Sequence, residues 1–413
     1  MIWDVAIIGA GPAGMMAAAR AAERGKRSLL IEKNREPGAK ILLSGGSRCN
    51  LAPADGPCGV VEAFGPAGRF LHSALAAFGP RQAVEMFEAE GVPTKVEPNG
   101  KIFPASDRAA DVRAALMRRV KRAGCVLAPA EPLLDVKRNE TTGVFQLTTA
   151  DRMIESANLV LATGGRSYPS CGTTGDGYRW AAALGHRVVP PRAALVPITS
   201  HAAWVTALQG VTLPDVAVEV VDPSEAESPP LAAGRGAMLF AHFGVSGPVV
   251  LNVSHAVSGH GRPASLLLRC NLLPAMKEPE FDALLARELA APGRRRAGTL
   301  LDRWLPHRVG LTLLELADVS PEAPLGEFSK ARRRRLAQLV RRLDVPVSGT
   351  MGFRKAEVTA GGIPLDEVDS RSMRSRIVPN LYFAGELLDL NGPEGGYNFM
   401  AAFCTGRLAG DSV

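Results

Sequence analysis

Residues 4–33 restrict the fold of this chain more than any other segment. The β-branched apolar run at residues 5–8 is typical of a strand that is buried on both faces. Gly9, Gly11 and Gly14 follow at once in GxGxxG spacing, and a helical pattern begins behind them. The first glycine permits a tight turn, the second lets backbone approach a pyrophosphate, and the third lets the helix pack closely on the sheet. The segment therefore predicts a dinucleotide site.

A second apolar run, residues 28–31, ends in Glu32, whose carboxylate suits two ribose hydroxyls and would repel a 2′-phosphate. The helix behind the glycines offers free N–H groups and a positive dipole end to the cofactor's phosphates. A glycine-rich turn that binds nothing would not need the strand, the three glycines, the helix and the acidic residue at the spacing of the dinucleotide motif. The motif does not by itself distinguish NAD from FAD, although its N-terminal position favours FAD.

At 413 residues, 46% of them hydrophobic, the chain is long enough for two or three domains. No window approaches about eighteen uninterrupted apolar residues, so we expect no membrane-spanning helix, and Asp4 argues against a signal peptide. The six cysteines are scattered without a CxxC pair or metal-ligand spacing. This distribution favours reduced thiols, no metal site and a cytoplasmic protein.

The net charge of +7 comes largely from arginine runs at residues 294–296 and 332–335. Such a charge is compatible with nucleic acid or anionic substrates, but an arginine-rich composition with a solvated helix face is the better explanation. Aromatic residues make up 5% of the chain and are dispersed, so no stacking motif for single-stranded RNA is present in the sequence. We therefore do not expect a nucleic-acid partner from sequence alone.

Residues 36–50 form a second glycine-rich stretch, and their prolines and glycines exclude a regular helix. A loop that displays backbone N–H groups beside Lys40, Ser47, Arg48 and Asn50 fits a long anionic and polar cofactor. A surface Ω-loop with ordinary turn residues is the alternative.

Two later segments place glycines directly after an apolar strand. Residues 158–163 run into Gly164 and Gly165, and residues 381–384 run into Gly385. Ligands of doubly wound sheets lie at such strand ends. A last helix then begins near Gly396, and its N-terminal dipole would stabilise negative charge on a reduced flavin by about 0.3–2 kcal/mol. This distal contact region favours FAD over NAD alone.

The composition and hydrophobic pattern of the sequence divide the chain into three parts. Residues 1–192 and 347–413 share the apolar, glycine-punctuated pattern of a Rossmann-like FAD-binding domain. Between them, residues 193–346 form an insert, with short β-like segments at 193–275 that suggest a small barrel or sandwich, and an arginine-rich helical part at 276–346. We predict an α/β fold made of a two-part FAD-binding domain and one inserted domain.

Seven ordered blocks of the chain resemble the BaiN-like (YhiN-like) family of NAD(P)/FAD-dependent oxidoreductases. They are AIIGAGPAG, ILLSGGSRCN, NGKIFPASDRAADV, LATGGRSYPSCGTTGDGY, LFAHFGVSGPVVLN, EVTAGGIPLDEV and LYFAGELLDLNGPEGGYNF. The resemblance spans essentially the whole chain and implies an FAD domain in two parts, with a β-barrel-like and helical insert.

The resemblance also implies a set of FAD contacts, carried over residue by residue. These are Gly9, Gly11, Ala13, Gly14, Glu32, Lys33, Lys40, Ser44, Gly45, Gly46, Arg48, Cys49, Asn50, Ala162, Thr163, Gly164, Gly385, Glu386, Gly396, Tyr397 and Asn398. The chain departs from the family pattern at Ser47, where a third glycine is usual, at Ala52-Pro53 and at Met400.

The predicted chemistry is reduction of FAD by NAD(P)H, followed by hydride transfer from flavin N5 to a small organic acceptor. An activated C=C bond as the acceptor follows only from the resemblance to BaiN, which acts on steroid-like enones. Two alternatives remain: a flavin-bearing RNA-modifying or RNA-binding protein that uses the basic insert, and an FAD redox sensor without turnover. Sequence does not determine the substrate, the choice between NADH and NADPH, or the oligomeric state.

The catalytic residues are weakly determined by the sequence. Tyr397 is a candidate proton donor or ring-stacking group, with a structural phenol as the alternative. His242 is a candidate acid or substrate ligand, against a structural or surface role, and Cys171 a candidate flavin neighbour, against an inert thiol. Asp176 fits a loop-fixing role through side chain to backbone hydrogen bonds better than proton transfer.

Overall fold

A computed structural model describes residues 2–225, 227–290 and 295–413, with only the backbone of Glu327. Arg294, the first residue of one arginine run, lies outside these ranges. The chain forms two compact units. One unit is discontinuous and consists of Met1–Ala193 and Ala356–Val413, while the other, the insert, is Ala194–Lys355.

The helices of the described residues alternate with strands through most of the chain. In chain order they are α1 (Pro12–Glu23), α2 (Gly56–Ala63), α3 (His72–Ala77), α4 (Pro80–Ala89), α5 (Ala109–Arg122), α6 (Asp176–Ala183), α7 (Ala203–Ala207), α8 (Pro248–Gly259), α9 (Glu278–Ala290), α10 (His307–Leu316), α11 (Lys330–Arg341) and α12 (Tyr397–Ser412).

The strands of the described part of the chain fall into four sheets. In chain order they are β1 (Ile2–Ile8), β2 (Ser28–Ile31), β3 (Ala52–Pro53), β4 (Thr94–Val96), β5 (Lys101–Pro104), β6 (Val126–Ala128), β7 (Leu133–Arg138), β8 (Phe145–Thr149), β9 (Met153–Leu161), β10 (Val189–Ala194), β11 (Ile198–Thr199), β12 (Thr212–Val221), β13 (Ala232–Ala241), β14 (Gly244–Ser246), β15 (Leu267–Asn271), β16 (Leu343–Pro346), β17 (Gly349–Thr350), β18 (Val358–Gly362), β19 (Val368–Asp369), β20 (Arg374–Ser375) and β21 (Leu381–Phe383).

The discontinuous unit is built on a nine-stranded sheet whose centre runs in the order β21-β9-β1-β2-β6. All four pairings in this centre are parallel. In β1, Val5, Ala6 and Ile7 are fully buried, because helices cover a parallel sheet on both faces. The carboxyl ends of β1, β2, β9 and β21 therefore meet at one edge, where a doubly wound sheet binds its ligand. The predicted Rossmann-like α/β fold is confirmed.

Helix α12 packs against α1 through two glycines, although nearly four hundred residues separate the two helices in sequence. A Cβ added to Gly406 would lie 2.2 Å from the carbonyl oxygen of Ala13, and one on Gly410 would lie 2.6 Å from that of Ala17. Either substitution would push the helices apart, because the opposing atoms are backbone. The two parts of this unit are thus joined by a close helix-to-helix contact.

The insert contains one seven-stranded antiparallel sheet in the order β16-β15-β12-β13-β14-β11-β17. Helix α8 packs on β12 and β13, and α9, α10 and α11 complete a second hydrophobic core. Within the described residues, no pairing joins the two end strands into a closed barrel. The insert ends at Lys355 instead of residue 346, because β17 pairs with β11 and so belongs to this sheet.

Two further expectations concern the whole chain. No helix among the described residues is long and apolar enough to cross a membrane. All six cysteines are free, and four of them, Cys49, Cys125, Cys270 and Cys404, are buried.

Candidate cofactor site

The turn after β1 has the geometry that its three glycines predict. Gly9 adopts a φ of +99°, which an L side chain rarely adopts. A Cβ on Gly14 would lie 1.8 Å from the carbonyl oxygen of Gly9, so the helix touches the turn. Gly11 caps the N-terminus of α1 with an extended backbone, and a Cβ there would meet nothing within 4 Å. Open space beside the first turn of α1 is what a diphosphate requires.

Glu32 lies at the end of β2 and is buried. Its Oε2 accepts a hydrogen bond from the N–H of Ala10 at 2.8 Å, and its Oε1 accepts one from the N–H of Asn34 at 2.8 Å. A carboxylate has about four acceptor positions, so these bonds leave two for ribose hydroxyls. Glu32 therefore fixes the glycine turn and keeps acceptor positions for the expected nucleotide.

Lys33 forms hydrogen bonds with residues at the start of α6 and in the loop before it. Its Nζ donates to Thr174 Oγ1 and to Asp176 Oδ2, both at 2.6 Å. Partial burial opposes ionisation of Asp176, but the hydrogen bonds from Lys33 and Thr174 outweigh it and lower the pKa of Asp176. Asp176 thus anchors its loop, although through side-chain partners and not through the backbone bonding that the sequence suggested.

The loop after β2 contains a 3₁₀ segment, Ala39–Ser47, whose backbone is non-helical at Ser44, Gly45 and Gly46. Gly45, Gly46, Ser47 and Cys49 all have φ between +54° and +70°. Such left-handed residues turn successive backbone N–H groups toward one side, as in anion-binding nests. Burial raises the pKa of the Cys49 thiol to about 12, so this cysteine is not a thiolate at neutral pH.

The charged group of Arg48 interacts with other residues of the protein. Its guanidinium donates to Glu97 and to Asp107 Oδ1, and it lies 4.0 Å above the ring of Phe103. Lys95 and Arg48 together lower the pKa of Asp107. With its positive charge already paired, Arg48 serves to hold the residue 44–50 loop against the β4–β5 hairpin.

Lys40 connects three distant parts of the chain. Its Nζ donates to Ser167 Oγ at 2.6 Å and to Glu386 Oε2 at 2.7 Å. Glu386 Oε1 accepts from Ser167 Oγ at 2.9 Å and from the N–H of Thr359 at 3.0 Å. We call Lys40, Ser167, Thr359 and Glu386 the Lys40 network. It fixes the loops that follow β9 and β21 relative to the residue 36–50 loop.

The start of α12 lies against Asn50. A Cβ on Gly396 would be 2.6 Å from Asn50 Oδ1, and Gly396 has a φ of +92°. Asn398 closes the preceding loop, since its amide bonds both the N–H and the carbonyl of Gly392 at 2.9 Å. Asn50 is 93% buried, yet its Oδ1 has no hydrogen-bond partner among the described residues. Such an orphaned acceptor beside a helix N-terminus calls for a polar ligand.

These features fit FAD. Gly11 and Gly46 leave open space beside N–H-bearing backbone, and Asn50 Oδ1 and Thr163 Oγ1 are buried acceptors without partners in the described part of the chain. The remaining predicted contacts follow the same edge of the sheet. Gly164 and Gly385 have φ of +72° and +71°, and a Cβ on Gly385 would lie 2.8 Å from the Ala13 side chain. Ala162 lies beside Gly9 and Gly14, whereas the Ser44 hydroxyl donates to the Ile41 carbonyl within its own loop.

The three proposed catalytic residues have different surroundings. Tyr397 is half-buried and donates a hydrogen bond to Asp55, and burial together with this carboxylate raises its pKa. Cys171 is half-buried in the loop before α6, where its carbonyl accepts from Asn34 at 2.9 Å. His242 is exposed in the turn between β13 and β14, with its ring against Phe243. Among the residues that the structure describes, neither Cys171 nor His242 has a side-chain partner that would make it a nucleophile–base pair.

Sequence reasoning missed Ser167, Thr359, Tyr168 and Glu357. Tyr168 has a φ of +52°, an unusual conformation for a bulky residue, and it lies in the loop after β9. Burial raises its pKa, and the nearby charges of Glu357 and Cys171 add to this effect. The Thr359 hydroxyl accepts hydrogen bonds from the N–H groups of Arg166 and Ser167, about 190 residues away in sequence, so no local pattern could have identified it.

The fold and the site define a Rossmann-type flavoprotein, an FAD-dependent oxidoreductase. The chain belongs to the family described as HI0933-like protein Rossmann domain, whose model matches residues 3–412. This result confirms the family resemblance found in the sequence.

Individual relatives cover nearly the whole chain. A ribosomal RNA dihydrouridine synthase of Escherichia coli K12 is 34% identical over 401 residues, which are 97% of this chain and 95% of the relative. A 3-dehydro-bile acid delta(4,6)-reductase of Clostridium scindens is 29% identical over 411 residues, 98% of each chain. Among solved structures, a 3-ketosteroid-delta4-(5alpha)-dehydrogenase of Rhodococcus jostii RHA1 has a TM-score of 0.52 at 14% identity, over 99% of this chain and 96% of that one. This last similarity concerns the fold alone.

Proposed function

We propose that this protein reduces a C=C bond conjugated to a carbonyl, that the bond lies in the uracil ring of a uridine in ribosomal RNA, and that NAD(P)H donates the electrons. The observation that carries the proposal is the likeness, over 97% of the chain, to a relative named ribosomal RNA dihydrouridine synthase. The relative named as a bile acid reductase supports the same bond chemistry, because a 3-oxo steroid with a neighbouring double bond is also a conjugated enone.

The proposed reaction balances as a hydride and a proton added across one double bond. The C5=C6 π bond of uracil breaks, C6 gains the hydride, C5 gains the proton, and the nicotinamide is oxidised by loss of that hydride. Bound FAD supplies the two-electron carrier between donor and acceptor. The chain's own residues must hold the cofactor, exclude water and deliver the proton.

The cofactor-holding residues divide this work. Backbone N–H groups at the start of α1 would hold the diphosphate, and Glu32 would accept from the ribose hydroxyls. The N-terminus of α12, beside Gly396, offers a positive dipole end that would stabilise negative charge on the reduced cofactor. Asn50 Oδ1, which lacks a protein partner among the described residues, would accept a hydrogen bond from the cofactor.

We assign the proton to Tyr168 Oη. This phenol keeps its proton at neutral pH because burial and the Glu357 carboxylate raise its pKa. Its left-handed backbone, in a loop at the carboxyl edge of the sheet, is the kind of strain that accumulates at functional sites. Tyr397 is less suited, because its hydroxyl proton is already donated to Asp55.

The net charge of the chain and its sequence identity to the two relatives both favour RNA over a steroid as the substrate. The chain carries a net charge of +7, which suits a polyanion better than a neutral enone, and the dihydrouridine synthase relative is the more similar of the two. A steroid-like enone is the second candidate, supported by the 29% identical bile acid reductase.

The test uses purified holoenzyme without oxygen, with NADH and NADPH supplied in turn. The flavin absorbance near 450 nm reports reduction, and its recovery is followed after addition of unmodified ribosomal RNA or of a 3-oxo-Δ4 steroid. The RNA is then digested, and nucleosides two mass units heavier than uridine are counted. We expect flavin bleaching by a nicotinamide, recovery with RNA and formation of dihydrouridine.

Each half of the proposal can fail separately. Absence of bleaching with either nicotinamide excludes NAD(P)H as the donor. Recovery with the steroid but not with RNA replaces the first substrate by the second. The variant Tyr168→Phe should bleach normally but reoxidise about 10²-fold more slowly. Tyr382→Phe serves as its control. It removes a hydroxyl that, within the described chain, donates a hydrogen bond only to the carbonyl of Ser412.

A further inference from the structure

The insert contains a second cavity that the redox chemistry does not use. We propose that this cleft, together with helix α11, binds the phosphate backbone of the RNA substrate, an inference that rests on the proposed function. Its volume is about 850 Å³, at the upper end of the range for ligand sites. One wall is the exposed face of β12 and β15, and the other is a face of α11 that carries Arg334 and Arg341, together with Arg342, which follows the helix. We call it the insert cleft.

Two of its arginines already have protein partners. Arg269, on β15, forms a two-pronged ion pair with Asp344 at 2.8 and 3.1 Å. Arg341 donates to the carbonyls of Leu273 and Met276, which fixes the end of α11. These interactions shape the wall of the cleft: the charge of Arg269 is neutralised by Asp344, whereas Arg341 keeps its charge but is held in place by the two carbonyls.

Arg334 and Arg342 differ from them. Both side chains are exposed at the cleft, and neither has a hydrogen bond or ion pair to any residue that the structure describes. A guanidinium presents a planar fork of donors that matches the oxygens of a phosphate. Two such groups, one on α11 and one directly after it, are available to phosphates of one strand.

The composition of α11 points to the same ligand class. The helix has six Lys or Arg residues and no Asp or Glu, so its own charges repel one another. Arg333 is compensated by Asp282 at 3.0 and 3.1 Å, and Arg335 bonds the carbonyl of Leu316. Lys330, Arg332 and Arg334 have no such compensation among the described residues. A bound polyanion would relieve this repulsion, which a neutral ligand could not do.

The insert cleft also contains acidic residues, and they restrict how RNA can lie in it. Glu219 is on the sheet wall beside Arg269, and Glu278 is in the first turn of α9. Phosphates must therefore run along the α11 side. The sheet side, with Glu219 and Asn271, offers acceptors and donors suited to base edges and 2′-hydroxyls. This polarity fits a ribonucleotide strand and does not fit an apolar steroid.

The experiment compares two charge-matched double variants of the FAD-loaded protein. Arg334→Ala/Arg342→Ala removes the unpaired cations of the cleft, and Arg262→Ala/Arg303→Ala removes two exposed arginines elsewhere on the insert. Binding of a fluorescent ribosomal RNA fragment is measured by anisotropy between 50 and 300 mM salt. We expect the cleft variant to bind about tenfold or more weakly, with a log–log salt slope reduced by about 1.4. The control should remain within about twofold of wild type.

A second pair of changes separates folding from charge. Arg334→Lys/Arg342→Lys keeps both charges but loses the planar fork, so its affinity should lie between those of wild type and the alanine variant. Flavin absorbance verifies that each variant holds its cofactor. A lysine variant as weak as the alanine variant would contradict a phosphate site.

The outcomes distinguish this inference from the proposed function. If wild type forms dihydrouridine in RNA while the cleft variant binds RNA like the control, the insert cleft is not the docking site and the proposed function stands. If wild type neither binds nor modifies RNA, both fail. If the cleft variant raises the KM for RNA and the control does not, both are supported.

Discussion

The nucleotide end and the opposite end of the cofactor site are constructed by different means. At the nucleotide end, the function of Gly9, Gly11 and Gly14 depends on the absence of a side chain. A side chain at any of these positions would collide with backbone or fill the space for the phosphates. At the other end the Lys40 network holds loops through hydrogen bonds between residues far apart in sequence. The first kind of site is specified by local sterics and the second by long-range pairing, so they should respond differently to substitution.

The largest difference should come from two neighbouring glycines. Gly14→Ala places a Cβ 1.8 Å from the Gly9 carbonyl oxygen, so β1 and α1 must separate, and we expect about 3 kcal/mol of destabilisation and loss of bound FAD. Gly11→Ala meets no atom within 4 Å and should fold with less than about 1 kcal/mol lost, yet bind FAD weakly. Urea unfolding and flavin absorbance measure both. Equal stability of the two variants would contradict the steric account.

The next effect belongs to the Lys40 network. Lys40→Met leaves the Glu386 carboxylate without its cation in a partly buried site, and we expect a loss of about 1–2 kcal/mol. Adding Glu386→Gln removes the remaining charge and should recover part of that loss. A double-mutant cycle in urea measures the coupling, and simple additivity of the two changes would mean that the pair contributes little.

A third prediction concerns pH and a side-chain network away from the cofactor. His186 is buried between Glu367 and Ser375, at 2.8 Å from each, and burial lowers its pKa although Glu367 opposes this. Below about pH 6.5 the unfolded chain takes up a proton that the folded protein resists, so stability falls by at most about 1.4 kcal/mol per pH unit. His186→Gln should flatten the stability profile between pH 7 and pH 5. The exposed His255→Gln should not.

The smallest effect should be at Ser47, which has a φ of +70°. Ser47→Gly removes the strain of a left-handed L residue but increases the freedom of the unfolded chain, so we expect a gain of only about 0.5 kcal/mol. Ser44→Gly, at an ordinary φ of −71° and with loss of the Oγ bond to the Ile41 carbonyl, should destabilise instead. Thermal unfolding distinguishes the two, and the same sign for both would be inconsistent with the backbone explanation.

Much of the fold was predictable because its signals are local. The strand, the glycine turn and Glu32 follow from residues close together in sequence, and the structure has them in that arrangement. The side-chain partners of Lys40 and Arg48 were not predictable, since Lys40 and Glu386 are 346 positions apart. The end of the insert was misplaced for the same reason, because the two-residue strand β17 is recognisable only through its pairing with β11.

The contact of Gly406 and Gly410 with α1 has a consequence for biosynthesis. At about 5–20 residues per second, the ribosome needs roughly 20–80 s to add the last helix after the first has emerged. During this interval the glycine turn has formed, but α12 does not yet cover α1. The cofactor site then lacks the residues contributed by the C-terminal part of the chain. Stalled nascent chains that lack α12 should therefore fail to retain flavin, whereas chains released with α12 should become yellow.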